Sequence, residues 1–268
     1  MNKSPKQLSL ENKILEHLKG KSLQAAEILF ADEELQAMQD YANNVSIKRL
    51  GYNDHGPVHM RKAALNSLKM FNLLENRGVK MSLEKEGIAL QEDSLLAVFV
   101  ASLLHDLGMT VTRDTHEILG LELARPFIEK VLNAVYTNEE VATKVAVRAI
   151  IQESIFGHMA TRKVHSIEAG LVLVGDGSDM EHGRARITAL LSEKPRIGDI
   201  HKYSSTAIDK VIIDQGEVKP IRILVKMNQS AGIFQVEEVL YPKIASSPIK
   251  EYIELYGQVE EEELLKYM

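Results

Sequence analysis

The 268-residue chain contains no cysteine. Disulfides, zinc–thiolate sites and a cysteine nucleophile are therefore excluded, and any metal must be held by histidine and carboxylates. An excess of positive charge is also missing: 32 Lys and Arg stand against 38 Asp and Glu, for a net charge of -6 and a pI near 5.9. Such a chain has no basic field of the kind that holds a phosphate backbone without regard to sequence, so long nucleic acid is disfavoured as a partner. A local basic pocket for a small anion stays open. The opening stretch MNKSPKQLSLENKILEHLKG has charges set into its apolar positions and no continuous hydrophobic run. It reads as neither a signal peptide nor a membrane anchor, and the expected setting is cytoplasmic, with no membrane partner. Internal repeats and low-complexity linkers are absent as well. What is present, 45% hydrophobic and 26% charged residues, is an ordinary globular composition sufficient for one large core with a small appendage.

Apolar residues recur at helical spacing from Leu8 to Leu18 and from Leu23 to about Tyr41, which predicts two amphipathic helices in a segment 1–50 that packs on the core. Gly56-Pro57 supplies a helix start, with proline where its missing N–H costs nothing, and Gly78 the matching stop, so a helix is expected over about 57–77. The run from Ser94 through LLAVFVASLLHDL is apolar on all sides, the signature of a helix buried at the domain centre. Asp114-x-x-Glu117 and Thr137-x-x-Glu140 read as capping boxes opening two further helices, to about Ala134 with a bend at Pro126 and to about Phe156. A last core helix covers about 165–180. These helices make up a domain of residues 51–206. Beyond residue 207 the period changes: KVIID and IRILVKM flank the Gly216–Pro220 turn, GIFQVEEVLYPKI returns to helical spacing and EYIELYG to strand. The expected fold class is mainly α, a helical core carrying a small C-terminal α+β (ββαβ) appendage over 207–268, whose acidic tail VEEEELLKYM frays.

Chemistry concentrates in the core helices. A His-Asp dipeptide such as His105-Asp106 is near what chance gives in a chain with nine histidines, so its context carries the weight. The pair ends a near-apolar helix, where burying an imidazole and a carboxylate is costly unless they are partnered. A carboxylate there also faces the negative end of the helix dipole, a penalty of roughly 0.3 to 1 kcal/mol. A bound cation reverses both penalties. His59 lies in the first turn of its helix, and Asp176 is an acid embedded in the apolar LVLVGDGSD segment with the same burial problem. Four hard or borderline donors from three core helices suit an octahedral site for Mn, Fe, Co, Ni or Mg.

In order and approximate spacing, His59, His105-Asp106 and Asp176 resemble the H…HD…D pattern of the HD superfamily of metal-dependent phosphohydrolases, over about residues 50 to 190. That resemblance implies an all-helical core, one or two divalent metals held by these four residues, and hydrolysis of a phosphomonoester, phosphodiester or phosphoanhydride by a metal-activated hydroxide oriented by Asp106. The substrate is small and phosphorylated, a nucleotide being the leading candidate. The stretch Tyr52 to His59 and the C-terminal appendage look like a prokaryotic subgroup of unnamed substrate. Subgroups with two metals place further histidines between the HD pair and the last Asp, which makes His116 and His158 candidate ligands and His165 a weaker one, suited to binding an anion. The Gly-Tyr-Pro signature of the cyclic-dinucleotide branch is missing, and Met109 stands where the deoxynucleotide triphosphohydrolases usually have histidine, so neither activity carries over.

Charge on the leaving oxygen needs neutralising, and the cations nearest the motifs are Arg61, Arg162 and Lys163 as catalytic candidates, with Arg184, Arg186, His165 and His55 as substrate contacts. Asp179, three residues after Asp176, is placed to accept from a ligating histidine. The small sheet suits subunit pairing, so a homodimer or higher homo-oligomer is expected. Two other readings of the same residues stand beside the hydrolase. In one, a non-catalytic protein binds metal and nucleotide and signals through the appendage. In the other, the polar residues are satisfied helix ends that hold no metal.

Overall fold

The computed structural model describes residues 3–181, 204 and 206–268. Helices α1 (Pro5–Leu15), α2 (Gly20–Phe30) and α3 (Glu33–Asn44) open the chain. The long helix expected through Tyr41 is broken in two because Asp32 leaves the helical region, and its carboxylate caps α3 by accepting from Leu35 N–H at 2.9 Å. An aspartate at that position is a better N-cap than a helix interior residue. A π-turn, Val45–Arg49, leads to α4 (Pro57–Asn76), which starts at Pro57 as the sequence predicts. After a short α5 (Ser82–Lys85) comes α6 (Gln91–Leu104), in which every residue from Asp93 to Leu104 is buried. The Gln91–Thr110 segment is long and apolar enough to cross a bilayer, but it lies at the centre of this fold, packed on α2, α4, α8 and α9.

A single 3-10 turn, Leu107–Thr110, separates α6 from α7 (His116–Val135), followed by α8 (Val141–Gly157) and α9 (Ile167–Gly177). Neither expected capping box forms. Thr115, in left-handed backbone at φ 61°, precedes α7, so Asp114 sits one residue too early to cap it. The Glu140 carboxylate does receive Thr137 N–H at 2.9 Å and its hydroxyl at 3.0 Å, yet α8 begins only at Val141. Helix α7 continues through Pro126.

The C-terminal unit has strands β1 (Ile208–Gln215) and β2 (Ile221–Met227), antiparallel, then β3 (Ile253–Val259) parallel to β2. The connection between β2 and β3 is a helical run, α10 (Ile233–Gln235), a π-turn (Val236–Leu240) and α11 (Tyr241–Ser246). A parallel pair needs such a crossover. The tail does not fray: Leu265–Lys266 forms β4 against Tyr256 and Gly257, and Tyr267 N–H donates to Leu255 C=O at 2.9 Å. The unit is thus ββαββ, one strand longer than its sequence suggests. Ile221, Ile223, Val225, Ile253 and Leu255 are buried in the same continuous core as the helices, with β1 against α4 and α11 against α9.

Candidate metal centre

Five helix ends deliver the polar residues to one point. His59 sits in the first turn of α4, His105 caps the C-terminus of α6 with Asp106 just beyond, His116 opens α7, His158 caps α8, and Asp176 lies in the last turn of α9. Gly108 is what allows the crossing: a Cβ there would lie 1.9 Å from the His116 carbonyl oxygen. With glycine at that place, the start of α7 lies directly on the turn that carries Asp106.

None of the six side-chain-bearing residues is more than 5% exposed. Each imidazole has its Nδ1 committed. The Nδ1–H of His105 donates to Ser102 C=O at 2.8 Å, that of His116 to Arg113 C=O at 2.8 Å, and that of His158 to Ile155 C=O at 2.7 Å. His59 Nδ1–H points instead to the Asp179 carboxylate at 2.7 Å. These partners accept only, so they fix the tautomer and leave the four Nε2 atoms facing inward. The Nε2 atoms of His116 and His158 are 3.0 Å apart and those of His59 and His105 3.3 Å apart. Lone pairs so placed repel unless a cation or a proton lies between them.

Asp106 divides its oxygens between the two histidine pairs. Its Oδ1 is 3.2 Å from His116 Nε2 and 3.4 Å from His158 Nε2. Its Oδ2 is 3.2 Å from His59 Nε2 and 3.3 Å from His105 Nε2. Asp176 Oδ1 joins the second group, 3.1 Å from His59 Nε2 and 3.6 Å from His105 Nε2. Asp106 Oδ2 is fully buried without a hydrogen-bond donor, an arrangement that costs several kcal/mol or more for a charged atom unless a cation meets it. Potential metal-holding groups therefore form around His59, His105 and Asp176 and around His105, Asp106 and His158.

The electrostatics point the same way. Burial pulls the His105 imidazole down, but the Asp106 and Asp176 carboxylates outweigh it and raise it to about 9. Burial pushes His158 down to about 4, with the His105 charge adding to the effect and Asp106 opposing it. Burial alone would raise both carboxyls. His105 and His55 hold Asp106 well below the ordinary carboxylate range, and Lys243 with His105 and His59 does the same for Asp176. The centre thus draws positive charge to itself, and the donor set, four imidazole nitrogens and two carboxylates, fits one or two borderline divalent cations.

The six residues expected as ligands come together here, and Asp179 accepts from His59 Nδ1–H. The cations expected from sequence do not come with them. Arg61 is 2% exposed and turned into the helical interface, where Glu11, Gln36, Gln39 and the Pro57 carbonyl take up its guanidinium; it is a structural residue. Arg162 stacks over Phe156 at 5.6 Å from the ring centroid, and Lys163 and His165 are exposed beyond the end of α8. None of these three bonds to the cluster, because the chain turns outward after His158. Arg184 and Arg186 lie outside the described residues. His55 is beside the centre, with its ring 5.6 Å from that of His59; its Nδ1–H donates to Asn53 C=O at 2.8 Å and Arg113 donates to its Nε2 at 3.3 Å.

Two cations near the site escaped the sequence reading. Arg113 reaches His55 from the loop before α7. Lys243 comes from α11, on the far side of a change in secondary structure: its Nζ donates to Asp176 Oδ2 and, at 2.8 Å, to His158 C=O. Its only signal in the sequence is a lysine within an otherwise apolar stretch, VLYPKIA.

The chain is 36% identical over 234 residues to the uncharacterized protein MJ1020 of Methanocaldococcus jannaschii, a match covering 87% of this chain and 88% of that protein. No family model matches the chain, and no solved structure does.

Proposed function

This chain belongs to one family with MJ1020 of Methanocaldococcus jannaschii, and from the geometry of the buried centre we propose that it is an HD-type, metal-dependent phosphohydrolase acting on a small phosphorylated substrate, with a nucleotide as the leading candidate. The observation that carries the proposal is Asp106, whose two oxygens face two separate histidine groups while Oδ2 has no donor. His59, His105, Asp176 and Asp106 Oδ2 would hold one divalent cation, and His116, His158 and Asp106 Oδ1 a second. Such cations lower the pKa of water toward neutrality and stabilise charge on phosphoryl oxygens.

The chain's own residues account for the rest. Three backbone carbonyls and Asp179 keep every Nε2 available as a donor, which raises ligand basicity and fixes ring orientation. Near-complete burial excludes bulk water and strengthens each electrostatic contact. The identity of the site residues, hard oxygens and imidazoles with no soft sulfur, matches phosphate chemistry better than redox chemistry at copper.

The test is elemental analysis of protein purified without chelator, followed by phosphate release from a panel of nucleotides and model phosphodiesters with Mn, Ni, Co or Mg. The expected result is at least one metal per chain and turnover, both lost in Asp106→Ala with the helical circular dichroism retained. Absence of metal and of turnover under every condition would overturn the reading. One observation favours a second reading: the contact of Lys243 with Asp176 ties the C-terminal unit to the centre, as a regulatory protein that senses metal and nucleotide would require. Metal and nucleotide binding without turnover of any panel member would select it.

A further inference from the structure

A phosphoryl group carries several charged oxygens, and a side-chain cation beside the centre can share with bound metals the work of stabilising them. Lys243 is 8% exposed, and its ammonium reaches the centre from the C-terminal unit. An ammonium has three N–H donors. Among the described residues, two of them are accounted for, by Asp176 Oδ2 and the His158 carbonyl. The first acceptor is a side-chain oxygen of the cluster itself, since Asp176 stands with His59 and His105; the second is the main-chain carbonyl of His158 at the C-terminal end of α8, a residue whose imidazole faces His116. The lysine is thus anchored between Asp176 and the end of α8, at the edge of the cluster, with one donor uncommitted among the described residues.

The route it takes is built. Gly177, the last residue of α9, lies under the lysine stem, and a Cβ there would be 2.8 Å from Lys243 Cδ. Pro242, the second residue of α11, precedes Lys243 on the helix that packs against α9. Burying an ammonium in this way is costly unless its hydrogen bonds are made. A surface ion pair could have held the C-terminal unit in place without that cost.

We infer that the C-terminal unit completes the active site: Lys243 donates its remaining N–H to an oxygen of the substrate's phosphoryl group while its other two bonds hold it against Asp176 and the end of α8, beside the centre. The inference rests on the phosphohydrolase reading and adds a residue from outside the helical core to the substrate contacts. It takes the place of Arg61, Arg162 and Lys163 in supplying positive charge to the phosphoryl group.

The test is calorimetric titration of inorganic phosphate into full-length protein loaded with the metal that elemental analysis finds, alongside metal content. Lys243→Met is expected to keep its metal and to bind phosphate about 10- to 100-fold more weakly, the loss of one charge-assisted hydrogen bond. Lys243→Arg should recover part of the affinity. Gly177→Ala, which pushes on the flexible lysine stem and leaves the ammonium in the chain, should weaken phosphate binding in the same direction, and it serves if Lys243→Met does not fold. Equal phosphate affinity in wild type and Lys243→Met would overturn the inference and leave the phosphohydrolase reading standing. Loss of metal in Lys243→Met would overturn it too, by making the lysine a support for Asp176 alone. Failure of metal-loaded wild type to bind phosphate at all would instead count against the phosphohydrolase reading beneath it.

Discussion

At the scale of single residues, the candidate centre depends on what stands behind its histidines as much as on the histidines. His59 differs from the other three histidines in using a carboxylate, Asp179, where they use backbone carbonyls. A carboxylate makes the imidazole a stronger donor and is the one such support that a point mutation can remove. Asp179→Ala is expected to reduce metal affinity about 10- to 100-fold, measured by competition with a fluorescent chelator, with the helical content unchanged. An unchanged affinity would mean that Asp179 only fills space beside α4. Arg61 makes the opposite point. Two residues from His59 in sequence, it faces the other side of α4, where Glu11 and two glutamines take it up. Proximity in sequence to a ligand does not bring a side chain to the same face of a helix.

At the scale of elements, helix ends do the positioning, and one cap shows how they hold. Asp32 terminates the approach from α2, caps α3, and receives Lys130 of α7 at 2.7 Å. Burial tends to raise its carboxyl, but Lys130 and the Leu35 N–H outweigh it and hold it below the ordinary value. A carboxyl depressed in the folded state contributes stability above its unfolded pKa, about 3.9, and that contribution disappears as pH falls through the folded value. Asp32→Ala should therefore cost about 1 kcal/mol at pH 7, and the cost should shrink toward pH 3 in urea denaturation. Asp32→Asn keeps a capping oxygen and loses the charge, so it should lie between the two at pH 7 and show the weaker pH dependence. Because Lys130 is 57% exposed, the ion pair itself adds little. An Asp32→Ala cost that persisted undiminished at pH 3 would assign the effect to packing.

On the scale of the whole molecule, the centre joins α4, α6, α7, α8 and α9, and through Lys243 it also joins the C-terminal unit. A cation bound there links most of the chain and binds only the folded state, so saturating metal should stabilise by about 2.7 kcal/mol at a hundredfold excess over Kd. Exhaustive chelation is expected to lower Tm by roughly 5–10 °C in a protein of this size. Asp106→Ala should show no metal-dependent change. If chelation left the wild-type Tm unmoved, the cluster would be a hydrogen-bonded core of polar helix ends.

The sequence by itself determined the helical core and which buried polar residues come together in it. Buried polar residues at the ends of apolar helices announce themselves, because nothing but a partner or a cation compensates their burial: His105, Asp106 and Asp176 were legible for that reason, and Asp179 followed from its spacing. Gly56-Pro57 fixed the start of α4 because proline there loses no hydrogen bond. Tertiary structure alone decided which cations reach the centre. Lys243 lies 67 residues from its partner Asp176, and no local rule links them. Arg61, Arg162 and Lys163 were near in sequence but are directed elsewhere by helix phase and by the outward turn after His158. Tertiary pairing likewise turned an acidic tail into β4, since an edge of β3 offered backbone partners that composition could not foresee. Periodicity and burial cost are local properties of the chain, whereas the direction of a long side chain is set by what the rest of the fold packs around it.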